Sequence, residues 1–496
     1  MTIKFYIMVS DEVMEKSETS KNSLKYFLLK LECHFTWNLQ KEDIEVPYTE
    51  ERIDDQLEYL TIKSKVSLFN LLAYVKHLNG QNKEALESLK NAEGSIQQDY
   101  ADQMEKRSIV TWGNYAWIYY HMDRLPEAQT YLDKVEASCK KLSSAFQYKV
   151  DLPEIDCEKG WSLLKFGGRY YERAKACFEK ALQSDPEHPE FNTGFAIVMY
   201  RMDDFHKDGT DSKSLSLSPL KKALSLDPES TFLKVLLALK LQDIDESSKG
   251  EKYIKEALDQ VPVGPYILRY AAKFYRRQNN PEKAIELLKK AFRLVPTSAF
   301  LHHQMGLCYR SQMIQIKKAT RNKPRGKDKE EVDRLVRTAI FYFEAAIKQK
   351  PLFVFAYLDL ANMYSEANRF SDAEEIFKKV LGLEHVREEE KQQAHFHYGR
   401  FLEHSRKAQD VAIYHYLEGI KINPKSCTKL VGALQKLAAK RLSQNSLDTK
   451  SLGALGFIHK LKGEKEEALQ YYEKALKQDP SNTEYISALL ELRLSI

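Results

Sequence analysis

The stretch SLGALGFIHKLKGEKEEALQYYEKALKQDP, residues 451–480, decides the fold. Two helix-like runs meet at Gly463. Small residues recur where two helices must touch, with Gly456 in the first run and Ala468 and Ala475 in the second. Tyr472 stands between those alanines, and Pro480 closes the unit. Glycine accepts the backbone of a tight turn, and proline cannot continue a helix. A helix–turn–helix unit with this pattern of small residues and a terminal proline is a tetratricopeptide repeat.

The same frame extends through most of the chain. Pro228, Pro262 and Pro296 follow one another at the 34-residue period of that repeat. Ala73, Ala85 and Ala92 mark one unit, Ala116 and Ala128 the next, and Ala174, Phe178 and Ala181 a third. Ala272, Ala284 and Ala291, then Gly306, Ala339, Phe343 and Ala346, continue it toward Ala361, Ala373 and Phe377. One hairpin cannot bury its apolar face alone, so about ten neighbours stack into a superhelix. The fold class is therefore all-α, a tetratricopeptide-repeat solenoid.

Two insertions interrupt the period. One is the polar loop 205–216; the other lies between Tyr309 and Ala339 and contains MIQIKKATRNKPRGKDK. The second should lengthen two helices and turn the superhelical path. The expected organisation is a flexible extension over 1–22, an N-terminal subdomain over 23–150 and a central one over 151–298. A long-helix pivot with the basic insertion follows over 299–352, then a C-terminal subdomain over 353–496. Met14 is an alternative start to Met1.

Composition narrows the function. The 496 residues are 43% hydrophobic and 30% charged, with only 19 glycines and 15 prolines, which favours helices over a turn-rich β architecture. Net charge is +5, so any anion site must come from local clustering. The six cysteines form no C-x-x-C pair and read as reduced thiols of a cytosolic protein. Cys33–His34 reads as core, and the N-terminal run FYIMV is too short for a signal peptide. No stretch approaches the ~20 apolar residues of a membrane span. P-loop, nucleophile-elbow and H-E-x-x-H motifs are absent, which argues against an enzyme.

One helix carries two faces. In RYAAKFYRRQ, residues 269–278, Ala271, Ala272 and Tyr275 form a packing stripe. Tyr266, Arg269, Lys273 and Arg276, with Tyr270 beside them, form a cationic and aromatic one. The first helix of each repeat lines the concave surface, so the second stripe projects into the groove. His303 and Gln304 occupy groove-side positions in the next unit, and Lys165 and Arg201 end two earlier first helices. Lys429, Lys436 and Lys440 make a basic stripe near the C-terminus. Cations bind phosphate, and rings accept stacked bases. The bland reading is a solvated, charged groove in a protein-interaction scaffold. A carboxylate-clamping repeat would carry a Lys and an Asn where Asn70 and Tyr74 stand, which weighs against that clamp.

From about Ser23 to Ile496 the chain resembles a known family. The segments LECHFTWNL, NLLAYVKHLNGQNKEAL, VTWGNYAWIYYHM, RYAAKFYRR, LHHQMGLCYRSQMIQIKKAT and HFHYGRF are similar to the interferon-induced proteins with tetratricopeptide repeats. The ending ELRLSI is most similar to the fifth member of that family. The resemblance implies a cytoplasmic antiviral RNA-binding protein of innate immunity, without catalytic activity. Its positively charged central tunnel would take the 5′-triphosphate end of single-stranded RNA without sequence specificity. It also implies a phosphate pocket of Gln56, Lys63, Lys165, Arg201, Arg269 and His303. Tyr171, Tyr266, Tyr270, Arg276 and Gln304 would hold the first nucleotides. Lys318, Lys429, Lys436 and Lys440 would line the exit. Other 5′ ends and transfer RNA, family members and signalling proteins are the further partners it raises, with no membrane and no DNA role. No cofactor is required by this pattern, but it raises a magnesium ion beside the triphosphate. Arg52 stands where the family pattern has a threonine and Tyr48 where it has an acid, which puts that metal in doubt. The expectation is that Arg52 partly replaces it among the phosphate contacts.

Overall fold

The computed structural model describes residues 21–44, 46–59, 65–203, 214–384, 386–424 and 426–494, without the side chains of Pro47, Tyr48 and Glu51. Lys63, both candidate start methionines and most of the 205–216 loop lie outside the described residues, as does the side chain of Tyr48. All regular structure among the described residues is helical. The helices follow one another as hairpins: Val66–Leu78 with Asn82–Asp99, Met104–His121 with Leu125–Lys141, and Pro153–Phe166 with Tyr171–Ser184. The pattern continues to Thr449–Lys462 with Lys465–Gln478, and Thr483–Leu494 follows.

Two compact units form among these residues. The first holds 21–202 and 214–267; the second holds Asp203 and 268–494. The division falls inside the helix Pro265–Arg277.

The repeat signature is the packing code. Ala73, Ala85, Ala92, Ala116, Ala128, Ala174, Phe178 and Ala181 are fully buried in the first unit, as are Ala284, Ala291, Ala339, Phe343, Ala346, Ala361, Ala373 and Phe377 in the second. Small residues let paired helices approach until aromatic rings seat against backbone. A Cβ built on Gly306 would meet the Phe343 ring at 2.6 Å, so no side chain fits at that crossing. Gly463 ends its helix in the left-handed region, at φ 78°, where glycine meets no steric penalty.

Helix starts are written locally too. Asn280 accepts a hydrogen bond from the Lys283 amide at 3.1 Å, and Pro281 occupies the first turn, where its missing N–H costs nothing. Asp448 caps the next-to-last hairpin helix through the Ser451 amide at 3.1 Å. The insertion after Tyr309 lengthens its helices as expected: Ala299–Ala319 has 21 residues and Lys327–Gln349 has 23, against 13 in Val354–Glu366.

Candidate nucleic-acid interface

In the first unit a polar chain converges on Lys165, in the last turn of Pro153–Phe166. Its ammonium donates to the Gln56 carbonyl oxygen. Gln56 is buried and donates through Nε2 to the Tyr266 hydroxyl at 3.3 Å; that hydroxyl lies 3.3 Å from the Arg52 carbonyl oxygen and donates to it. Part of the Lys165 side chain reaches the surface, but its ammonium sits in packed surroundings. Burial drives its pKa well below the ordinary lysine value, and Arg52 and Arg201 push it the same way. The charges that act on Lys165 are thus themselves cations, and desolvation amplifies their repulsion. Such a group is relieved by a nearby anion or by the loss of its proton.

Tyr171 is half-buried at the start of Tyr171–Ser184 in the same unit. Asn70 and Tyr74 are committed internally: Asn70 Nδ2 donates to Glu158 Oε1 at 2.8 Å, and the Tyr74 hydroxyl donates to the Leu39 carbonyl at 2.8 Å. His34 is buried between Asn114 and Ser162, and Cys33 beside it is also buried, so this dipeptide is core.

In the second unit Arg269 lies 4.8 Å from the centroid of Tyr270 and 4.9 Å from that of Phe300. Lys350 approaches the same Phe300 ring at 5.4 Å. Tyr270 is only 4% exposed, so its ring is a buried seat for the guanidinium more than an open stacking surface. Lys273 and Arg276 are half-buried at groove-side spacing along the same helix.

Three buried polar atoms near this helix are unsatisfied: Arg276 Nε, Gln304 Oε1 and the Tyr275 hydroxyl. A buried polar atom left unpaired costs ~1–3 kcal/mol. Two of the three belong to residues assigned to nucleotide contacts, one a donor and one an acceptor. Burial also holds the Arg276 guanidinium below its usual pKa.

His303 has a partner the sequence reading missed. Its Nε2 lies 2.8 Å from Asp359, whose other oxygen accepts from Arg310 at 2.6 Å. Burial alone would raise the Asp359 pKa, but His303, Arg310 and His397 together hold it below the ordinary carboxylate value. A signal for this network existed. Asp359 and His397 stand two residues before Ala361 and Gly399, as Gln304 stands two before Gly306. Arg310 follows Gly306 by the same interval at which Arg276 follows Ala272.

Lys318 is exposed at the end of Ala299–Ala319. Lys429, Lys436 and Lys440 are exposed along Thr428–Gln444. No cluster of three or more metal-ligating side chains occurs among the described residues. No helix there is long and apolar enough to cross a membrane.

Matches to tetratricopeptide-repeat families cover residues 164–188, 226–299, 356–383 and 449–482, and define the class of solenoid. The chain is 54% identical to the human antiviral innate immune response effector IFIT1 over 458 residues, 92% of this chain and 96% of that protein. It therefore belongs to the interferon-induced proteins with tetratricopeptide repeats. Two solved structures are similar to it: the human IFIT1 dimer with m7Gppp-AAAA, at TM-score 0.83 and 53% identity, and the human IFIT1 dimer with PPP-AAAA, at TM-score 0.79 and 52% identity. They cover 91% and 92% of this chain, and in each case 99% of the other.

Proposed function

We propose that this protein is an antiviral RNA-binding effector that takes the 5′ end of single-stranded RNA, with a 5′-triphosphate as the preferred end. The observation that carries the reading is Lys165, a packed ammonium repelled by Arg52 and Arg201 and hydrogen-bonded to Gln56. A polyphosphate relieves that repulsion through charge-assisted hydrogen bonds. The unsatisfied Arg276 Nε and Gln304 Oε1 supply a donor and an acceptor suited to a nucleotide. Human IFIT1, 53% identical, has been solved with a capped and, at 52%, with a triphosphate oligonucleotide, which supports both end types as ligands to compare. The chemistry is recognition, without bond-making: Lys165 and its neighbours neutralise an anion, and Arg276 and Gln304 orient a nucleotide.

Magnesium does not fit this arrangement. The charged groups acting on Lys165 are cations, and Arg52 supplies positive charge where the family pattern raised a metal. The positively charged tunnel, the five-part division of the chain, a cytoplasmic setting and the place beside the fifth family member belong to the same proposal. So do family-member and signalling-protein partners. The test is binding of one short RNA carrying a 5′-triphosphate, a 5′-hydroxyl or a methylated cap at physiological salt. Preference for the triphosphate supports the proposal; equal affinity for all three overturns it in favour of a merely basic groove.

A further inference from the structure

The turn between the two longest hairpin helices holds a charge concentration of which the 5′-end reading uses only Lys318. Residues 317–329, KKATRNKPRGKDK, carry seven lysines and arginines against one aspartate, a net +6, while the whole chain is only +5. The protein's net positive charge thus resides in one short segment.

Its geometry presents that charge outward. The flanking helices run 21 and 23 residues, about two turns longer than the 13-residue Val354–Glu366. At 1.5 Å per residue that carries the tip roughly 12–15 Å past that shorter helix. Lys318, Arg321, Lys323, Arg325, Lys327 and Lys329 are all exposed. Of the seven cations, Lys317 alone has an ion pair among the described residues, with Glu366 at 2.5 Å. The backbone is nevertheless well tied. The Arg321 and Asn322 amides donate to Lys318 and Lys317 carbonyls at 3.1 and 2.6 Å, and the Lys323 amide to Thr320 at 3.0 Å. Arg321, Asn322 and Gly326 have positive φ, which folds the turn back on itself. The result is an ordered prong on which six of the seven cations have no ion pair among the described residues.

We propose that this prong is a second nucleic-acid contact, one that takes the phosphodiester backbone of RNA away from its 5′ end. The proposal rests on the RNA reading above and extends it to longer strands. A polyphosphate chain suits the spacing: unpaired cations on a ridge meet successive phosphates, and counterion release drives the association. A membrane surface is the less favoured partner, because no large apolar side chain stands among these thirteen residues to enter a bilayer.

The experiment compares wild type with the quadruple variant Arg321→Gln, Lys323→Gln, Arg325→Gln, Lys327→Gln, whose side chains are exposed, after its unfolding temperature is shown to be unchanged. Two probes separate the ideas: a four-nucleotide 5′-triphosphate RNA, and a thirty-nucleotide single strand with a 5′-hydroxyl. The expected result is unchanged affinity for the short RNA, with weaker binding of the long one. The salt slope on the long RNA should fall by ~0.7 for each phosphate the variant no longer neutralises, hence about 2–3 in all. An unchanged slope on the long RNA overturns the prong. Loss of binding to vesicles of anionic phospholipid with RNA binding intact overturns it in favour of a lipid surface. A wild type that takes short 5′-hydroxyl and 5′-triphosphate RNA equally would instead defeat the end-recognition reading, and the long-strand slope would still decide the prong.

Discussion

Gln56 and Tyr266 are 210 residues apart in sequence and joined by a 3.3 Å hydrogen bond. The link matters because Gln56 is also the acceptor for the Lys165 ammonium, and Tyr266 donates onward to the Arg52 backbone. One phenol therefore sets the orientation of the amide that holds the lysine.

Removing that hydroxyl should be felt twice. Tyr266→Phe is expected to lower unfolding stability by ~0.5–1.5 kcal/mol, the net worth of an ordinary hydrogen bond. It should also reduce the preference for triphosphate over hydroxyl RNA several-fold, because Gln56 is then free to turn away from Lys165. Denaturant unfolding and competition binding read the two effects separately. A stability loss with the preference fully kept would show that Tyr266 is packing alone.

Lys165 predicts an opposed pair of effects. Its folded pKa lies below its unfolded value, so the unfolded chain binds the proton more tightly and the ammonium weakens the empty protein. Stability of the RNA-free protein should therefore rise as pH climbs from the depressed pKa toward the ordinary lysine range. Lys165→Met should abolish that rise and unfold no earlier than wild type at neutral pH. The same variant should lose triphosphate preference by about tenfold or more, given ~1.5–3 kcal/mol for a hydrogen bond to a charged group. Thermal unfolding across pH, with and without RNA, gives both readings.

Arg52 can be set against magnesium directly. Wild-type binding of triphosphate RNA should be indifferent to chelator, since a guanidinium already neutralises part of the charge. Arg52→Ala should bind about tenfold more weakly, with part of the loss restored by millimolar magnesium, consistent with a charge-assisted contact of ~1.5 kcal/mol. The same magnesium dependence in both proteins would mean that Arg52 does not replace the metal.

How much of this was legible in sequence follows from range. The solenoid was readable because its packing code is local: each glycine or alanine at a crossing recurs one period on, and Gly306 against Phe343 is the kind of contact that forces it. The shared spacing of Arg269 and Arg276 was readable because it is a property of one helix. Asp359 was not, although it shares the register of Gln304. Its meaning comes from His303 and Arg310 on a neighbouring hairpin, and one-dimensional spacing does not say which residues stacking will bring opposite one another. Tyr270 was read as standing beside the groove cations; its burial under Arg269 depends on the packing of Phe300 from the next repeat.

That network yields the last prediction. Asp359 is half-buried, its side chain 16% exposed, and binds two bases, His303 at 2.8 Å and Arg310 at 2.6 Å. Asp359→Asn keeps the shape but leaves Arg310 facing a neutral amide; because Arg310 is 31% exposed, the cost should fall below the ~3–5 kcal/mol of a fully buried pair. The pH dependence identifies the cause. A carboxylate with a depressed folded pKa adds stability above its unfolded pKa and loses it as pH falls through the folded one. His397 acts in the same direction: burial first, opposed by Asp359, brings its pKa to about 4, so stability also drains between the ordinary histidine pKa and that value. Wild type should therefore weaken in two acid steps, the histidine step between about 6.5 and 4 and the aspartate step below it. Asp359→Asn should start lower and lose the second step. With its carboxylate neighbour gone, His397 should titrate lower still, which nuclear magnetic resonance of the imidazole would show. An unfolding curve for the variant that matches wild type at neutral pH and in acid would mean the pair contributes nothing to holding the second unit together.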